Sequence, residues 1–566
     1  MFKFLRRAAP LAAHLRHNHF NAKHMDKCGA NFAHLTPISP FKRTVFMYPS
    51  KPAYVFEHIT RTWGEVGVRV NRFASALRLL GVGRGDVVSV MAPNAPPMYE
   101  AHFAVPGIGA VLHSINTRLD VATVVYQLKH SEPKVLIVDN EFTPIMREVI
   151  EALRQENIKL PTFISIGDAH FTDAISKLDY EDFLKTGDAT FTLPDGVDEW
   201  DAISLNYTSG TTGNPKGVVC HHRGAYLNSV SNIVEWNMEP FAKLFMIVPM
   251  FHCNGWNFTW TMANVAGCCF FVRHVRPESI FDIIDGHKVG YMCGAPITMI
   301  TMLNYPQRFK FSHTVKMLTG GAPPPPPLMK RFTEETGVSI RTSYGLTESY
   351  GPATLHHPDP EWTEVQKLSE DALLARCTVQ AQTVIEESVR ILNPETMQEV
   401  PADGATLGEV MIRGNIMMKG YFKSPEATQA AFKDGWFHTG DLAVSHGRGR
   451  FEIKDRSKDI IISGGENISS IHVETVLITH PGIMEVAVVA MPHEKWGEVP
   501  CAFVARDPAA SPEHRAVTEA ELIAWARTKM AHYQAPKKIV FGDIPKTSTG
   551  KVQKNKLKEI LDDLLK

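Results

Sequence analysis

Short apolar segments of strand length recur along the first half of the chain, with spacers long enough for helices between them. That rhythm restricts the fold more than any other feature. The strand candidates are Asp86 to Met91, Lys134 to Val138, Phe163 to Ile166, Phe245 to Val248, Val289 to Cys293 and Val315 to Leu318. The clearest helix is Thr62 to Leu80. Thr62 and Glu65 have capping-box spacing, Val66, Val70, Phe73, Leu77 and Leu80 recur on one face, and Gly81 stands at the stop. A turn is expected at Pro93-Asn94. Strands alternating with helices predict α/β layers with largely parallel sheets. Such sheets bind ligands beyond the carboxyl ends of their strands, and the most unusual loops of this chain follow predicted strands. At 566 residues the chain exceeds what one core supports, so several domains or subdomains are expected.

Charge and cysteine usage exclude several function classes. The net charge of −1 leaves no overall field to attract nucleic acid or an anionic membrane. The eight cysteines are scattered without a Cys-x-x-Cys pair, which reads as reduced thiols in a reducing compartment. The longest stretch free of Asp, Glu, Lys and Arg, around Phe251 to Val272, is broken by asparagines, glycines and His252, so no transmembrane helix is expected. Met1 to Met25 carries Lys3, Arg6, Arg7, Arg16 and Lys23, no acidic residue, and apolar Phe2, Phe4, Leu5, Leu11 and Leu15. This composition predicts a mitochondrial transit peptide and a matrix location, with the cytoplasm as the alternative. The chain ends Leu564-Leu565-Lys566 and lacks a Ser-Lys-Leu peroxisomal tripeptide.

The richest loop is Tyr207-Thr208-Ser209-Gly210-Thr211-Thr212-Gly213-Asn214-Pro215-Lys216-Gly217-Val218, which follows the apolar-rich run Ala202 to Tyr207. Glycines free the backbone to turn and present N–H groups, while hydroxyls and Lys216 add donors, a composition suited to a polyphosphate. It is not a Walker loop, because Lys216 is followed by Gly217 and Val218 rather than Ser or Thr. The whole stretch resembles the ATP-phosphate loop of the adenylate-forming superfamily, which includes acyl-CoA synthetases, peptide-synthetase adenylation domains and luciferases. Further matches in family order extend this resemblance over nearly all the chain after residue 25. It implies a large N-terminal AMP-binding domain of doubly wound sheets over residues 26–455, with a β-barrel-like subdomain. A small mobile α+β domain over 456–566 would follow.

The resemblance also implies roles, residue by residue. Pro249-Met250-Phe251-His252-Cys253-Asn254-Gly255-Trp256 would line the acyl pocket, with Phe251 and Trp256 as apolar wall beside Gly345 and Leu346, and His252 gating entry of the carboxylate. Amino-acid-activating relatives tend to carry an aspartate in this segment, so an amino-acid substrate is disfavoured. Gly320, Gly321 and Ala322, before the five prolines 323–327, would lie beside adenine. Tyr344 would stack on the base, Thr347 bond the α-phosphate and Glu348 hold Mg²⁺. Acetate-specific relatives place tryptophan at the position of Gly345, which therefore implies room for more than an acetyl group. Asp441, in Gly435-Trp436-Phe437-His438-Thr439-Gly440-Asp441, would accept hydrogen bonds from the ribose, and Arg456 would be a second ribose or phosphate contact. Lys458 takes the hinge position between the domains; Asp455 departs from the glycine usual before the arginine and adds a charge near that hinge. Gly464, Gly465 and Glu466 match the loop that enters the site for thioester formation. Lys551, in Pro545-Lys546-Thr547-Ser548-Thr549-Gly550-Lys551, is at the position of the adenylation lysine.

The implied activity is ATP-dependent ligation of a medium-chain, branched or aromatic carboxylic acid to CoA through an acyl-adenylate. ATP, Mg²⁺ and CoA would be required, and no tightly bound prosthetic group. The alternatives are a different acyl acceptor, such as a carrier protein or a luciferase-like oxidation, and an inactive binding scaffold. Joint retention of Lys216, Glu348, Asp441, Arg456 and Lys551 opposes the scaffold, and the complete thioester loop favours CoA. No basic stripe predicts a nucleic-acid partner. The sequence leaves monomer and homodimer equally open.

Overall fold

The computed structural model describes residues 25–565 apart from 169, 209–214, 375, 385–386, 509 and 548–550. The basic N-terminal segment 1–24 and the loop residues Ser209, Gly210, Thr211, Thr212 and Gly213 therefore lie outside the described residues. Three sheets form the framework. The first has thirteen strands and includes, as parallel neighbours, Lys243–Met246, Tyr291–Gly294, Lys316–Thr319 and Ser339–Leu346. Its last parallel member, Ser339–Leu346, also pairs antiparallel with Gly351–Leu355. From there the sheet continues through Gln380–Gln382, Arg450–Arg456, Phe437–Gly447 and Leu407–Arg413 to Ser388–Leu392. The β-rich part is thus an antiparallel extension of the main sheet. Among the described residues it ends on an open edge rather than closing into a barrel.

The second sheet has seven strands, in the order Gly420–Tyr421, Gly217–His221, Ala202–Tyr207, Val111–Ser114, Val87–Met91, Val135–Asp139 and Thr162–Ile166. Between the two large sheets and around them pack the helices Ile38–Met47, Trp63–Leu79, Pro96–Gly107 and Phe258–Asn264. The expected capping box is present, with Thr62 and Glu65 each satisfying the other's backbone N–H. Trp63 and Trp260 are fully buried, and each indole N–H finds a carbonyl, that of Gly267 at 3.2 Å and that of His102 at 3.0 Å.

Predicted and observed strands agree to within one residue at each end except in two cases. The run Phe245 to Val248 leaves its strand at Met246 because the Asn94 side chain donates to the Met246 and Val248 carbonyls, at 3.0 and 3.1 Å. The run Val289 to Cys293 starts as a strand only at Tyr291. Its Val289 instead caps the preceding helix, donating its N–H to the Ile284 carbonyl at 2.9 Å.

The C-terminal segment forms a third sheet of five strands around Ile483–His493 and Gly497–Arg506, with helices Ser470–Leu477, Glu519–Arg527 and Lys554–Leu565. Its apolar clusters, one from Ile461 to Ile539 and one joining Ala487 to Leu561, are separate from that of the large sheets. Asp455 is not a loose charge at the junction. It is 2 % exposed, and one carboxylate oxygen accepts both the N–H and the hydroxyl of Ser470 at 2.6 Å, at the start of helix Ser470–Leu477. A glycine could not supply that acceptor.

Candidate active site

The two sheets meet the C-terminal segment at a cleft, and the predicted residues come from the ends of their strands. Strands Phe437–Gly447 and Arg450–Arg456 pair with Asp441 opposite Arg456. The Arg456 guanidinium stands 3.3 Å from one Asp441 oxygen, and the Tyr344 hydroxyl donates to the other at 2.7 Å. Burial and the Asp441 carboxylate raise the Tyr344 phenol far above its usual range, so it stays a donor. A carboxylate, a flat aromatic ring and a cation are thereby fixed side by side.

Thr347 and Glu348 follow on the short turn Thr347–Ser349. The Cys253 thiol donates to the Thr347 hydroxyl at 3.4 Å, and burial pushes that thiol up to about 12, which keeps it protonated. Glu348 is held from its own backbone, whose carbonyl accepts the Met418 N–H at 2.7 Å, and from its side chain, where the Tyr421 hydroxyl donates to one carboxylate oxygen at 2.9 Å. Burial raises the Glu348 carboxyl above its usual value. Lys216 places its ammonium 4.7 Å from the centre of the Tyr421 ring. The base of the phosphate loop is closed by the Thr208 N–H on the Lys216 carbonyl at 3.0 Å.

Tyr421 is the functional residue the sequence did not disclose. Nothing local marks it, because its partner Glu348 lies 73 residues away in the chain. Removing the hydroxyl as Tyr421→Phe should leave the fold intact and cost Glu348 one charge-assisted hydrogen bond, about 1.5–3 kcal/mol. The expected result is an increase of roughly tenfold or more in the Mg²⁺ concentration needed for half-maximal ATP binding, read by titration calorimetry.

Lys551 reaches this cleft from the C-terminal segment. Its side chain is open to solvent along the cleft but crowded by protein around it. That crowding and the positive Arg456 lower its ammonium to about 8, while Asp441, Cys253 and Glu348 pull the other way. His252 is also brought here. Burial and Lys551 lower its imidazole to about 4, so it is neutral at physiological pH. A neutral ring beside a cation suits a gate or a hydrogen-bonding wall and not a charged catalyst. Phe251 and Trp256 are both buried, and the Trp256 ring lies 3.4 Å from where a Cβ on Gly320 would sit. The indole therefore packs against the segment Gly320, Gly321 and Ala322, of which the last two are exposed.

One expected role changes, and one expected group stands apart from the cluster. A Cβ on Gly345 would stand 2.0 Å from the Gly351 carbonyl oxygen. The glycine is required by the close pass of the neighbouring strand, so it does not gauge the size of the acid pocket, and Leu346 beside it is half-buried. Gly464, Gly465 and Glu466 do not join the cleft cluster. Gly464 and Gly465, with φ of 61° and 89°, make the tight turn between strands Ile461–Ser463 and Glu466–Ile468. Gly464 packs against Trp496. Lys458 lies in the turn just after Arg456, where burial and Arg456 lower its ammonium. Among the described residues there is no group of three or more His, Cys, Asp or Glu placed to hold a metal, and no helix long and apolar enough to cross a membrane. All eight cysteines are free.

A nucleotide cradle at the ends of strands, with a lysine delivered from a second unit, defines an adenylate-forming enzyme. Comparison with known proteins agrees. The AMP-binding enzyme model matches residues 41–422, and the AMP-binding enzyme C-terminal domain model matches 472–551. The chain belongs to the AMP-binding enzyme family. It is 42% identical over 547 residues to an acetate–CoA ligase of Humulus lupulus, covering 94% of this chain and 96% of that one. It is also 42% identical over 554 residues to a peroxisomal benzoate–CoA ligase of Arabidopsis thaliana, covering 95% of each. Among solved structures, ATP-bound MatB from Rhodopseudomonas palustris superposes with a TM-score of 0.80 at 26% identity, over 94% of this chain and all of the other.

These relatives correct the expected location. The benzoate–CoA ligase and further relatives from Arabidopsis thaliana and Petunia hybrida are named peroxisomal, which points away from the mitochondrial matrix. A basic, acid-free N-terminus is a matter of composition, and composition alone does not define an address.

Proposed function

We propose that this AMP-forming acid–thiol ligase joins a short, branched or aromatic carboxylic acid to CoA in two steps within one cleft. What carries the reading is the meeting of Lys551, from the C-terminal segment, with Tyr344, Glu348, Asp441 and Arg456 of the large sheets. In the first step a carboxylate oxygen attacks the α-phosphorus of ATP, the bond to the bridging oxygen breaks, and pyrophosphate leaves. In the second the CoA sulfur attacks the acyl carbon and AMP leaves. The first asks mainly for positioning and for neutralising charge on phosphoryl oxygens. Lys551 would bridge the acid and the α-phosphate, Arg456 and Asp441 would hold the ribose side, and Lys216 would meet the outer phosphates.

Glu348 is the group that would hold Mg²⁺. It is a half-buried carboxylate with Tyr421 on one oxygen, and Mg²⁺ accepts one or two carboxylates beside phosphate oxygens and waters. The bound ion would supply charge neutralisation at the departing pyrophosphate. For the second step the small unit would turn about Lys458, withdrawing Lys551 and bringing in Gly464, Gly465 and Glu466.

The acid class follows the relatives, which are named for substrates from acetate and butyrate to 2-methylpropanoate, benzoate and cinnamate. The test is CoA-dependent AMP formation with those acids plus octanoate and palmitate. Turnover with one class fixes the pocket, whereas acid-dependent pyrophosphate release without CoA-dependent AMP would assign a different acceptor. The pH profile is a second test. Lys551 titrates near 8 and is needed as an ammonium, so kcat/KM for adenylation should fall as pH rises through about 8. Lys551→Arg, which keeps its charge, should show no such fall.

A further inference from the structure

Cys253, Asn254, Gly255, Trp256 and Asn257 all hold positive φ, from 40° to 64°, and only one of them is glycine. A left-handed turn of this kind costs roughly 1–2 kcal/mol for each L-residue, so it persists only where its surroundings impose it. What imposes it is a buried polar junction. The Asn254 side-chain oxygen accepts from Asn206 Nδ2 at 2.7 Å and from the Tyr350 hydroxyl at 3.1 Å, while its Nδ2 donates to Ser114 Oγ at 3.3 Å. The Tyr350 hydroxyl in turn accepts from Ser204 Oγ at 2.8 Å. Tyr350 is itself left-handed, with φ 57°, and its carbonyl accepts from Asn257 and, at 3.2 Å, from Asn228. Asn232 holds the Trp256 carbonyl at 3.0 Å, and the Met250 N–H donates to Asn94 at 2.7 Å. Asn206, Asn254 and Tyr350 are at most 3 % exposed.

These contacts join three segments that share no sequence neighbourhood. Ser204 and Asn206 lie on the strand that runs into the phosphate loop. Asn254 belongs to the turn that carries His252 and Trp256, and Tyr350 lies two residues after Glu348. We propose that Asn254 and Tyr350 are positioning residues for adenylation: they lock the acid-side turn to the phosphate and metal side, so that the carboxylate and the α-phosphate are held in register. The inference rests on the ligase reading above.

The test uses the full chain with two changes, each of which spares the backbone. Asn254→Gly tolerates positive φ and removes the amide; Tyr350→Phe keeps the ring and removes the hydroxyl. Acid-dependent ATP–pyrophosphate exchange is measured with butyrate and benzoate, and ATP binding without acid is measured by calorimetry. Both variants should keep the wild-type number of ATP sites while exchange kcat falls by about 10²-fold, the scale of an ångström-sized misplacement. The double variant should lose little more than either single one, as members of one unit do. Exchange close to wild type in either variant overturns the proposal. So does a loss of ATP sites in proportion to kcat, which would mean simple unfolding. Absence of exchange in the wild type with every acid of the panel overturns the ligase reading itself.

Discussion

Replacing Lys551 by alanine is expected to lower acid-dependent pyrophosphate release by at least ~10²-fold, the scale on which a lost oxyanion donor is felt. The side chain is the one ammonium that the C-terminal segment places among Arg456, Asp441, Cys253 and Glu348. A short alanine would leave the developing charge between carboxylate and α-phosphate without this counter-ion. The second half-reaction should be spared, because acyl transfer from a supplied acyl-adenylate to CoA requires no attack on phosphorus. Measuring both halves on one preparation decides the matter. Near-normal pyrophosphate release would remove Lys551 from the role.

The second large effect belongs to Lys458→Pro, which should leave adenylation largely intact and block thioester formation. Proline fixes φ near −65° and removes the backbone N–H, so a rotation of the chain about this position is blocked. In the conformation described here, with Lys551 in the cleft, position 458 lies in a turn beside Arg456. The Gly464–Gly465 turn packs against Trp496 in this conformation, so on the proposed scheme its entry for CoA chemistry would need a rearrangement that adenylation does not. Single-turnover assays separate the two: ATP–pyrophosphate exchange for the first, quenched-flow thioester formation for the second. Equal loss in both would argue against Lys458 as the hinge.

Much of this site could be read from the chain because the chemistry is concentrated in short loops. Tyr344, Thr347 and Glu348 lie within five residues, and Asp441 and Arg456 face each other across one hairpin. Residues that act through long-range contacts left no local trace. Tyr421, Asn254 and Tyr350 acquire their meaning only when distant segments meet. Gly345 misled for a related reason. A glycine in a motif can open space for a ligand or admit a passing strand, and only the position of the Gly351 carbonyl distinguishes the two. Asp455 likewise read as an added charge until Ser470 was placed against it.

In the thirteen-strand sheet the parallel block joins the antiparallel block that carries Asp441 and Arg456 through one strand, Ser339–Leu346, which pairs parallel over Ser339 to Thr342 and antiparallel over Ser343 to Leu346. It therefore has no seam. The outer antiparallel half, which carries Asp441 and Arg456, could peel away only by baring the amides and carbonyls of the strand that carries Tyr344. Heat should thus melt both halves of the nucleotide cradle in one cooperative step. The C-terminal segment, with apolar clusters of its own, has the means to come apart at a different temperature.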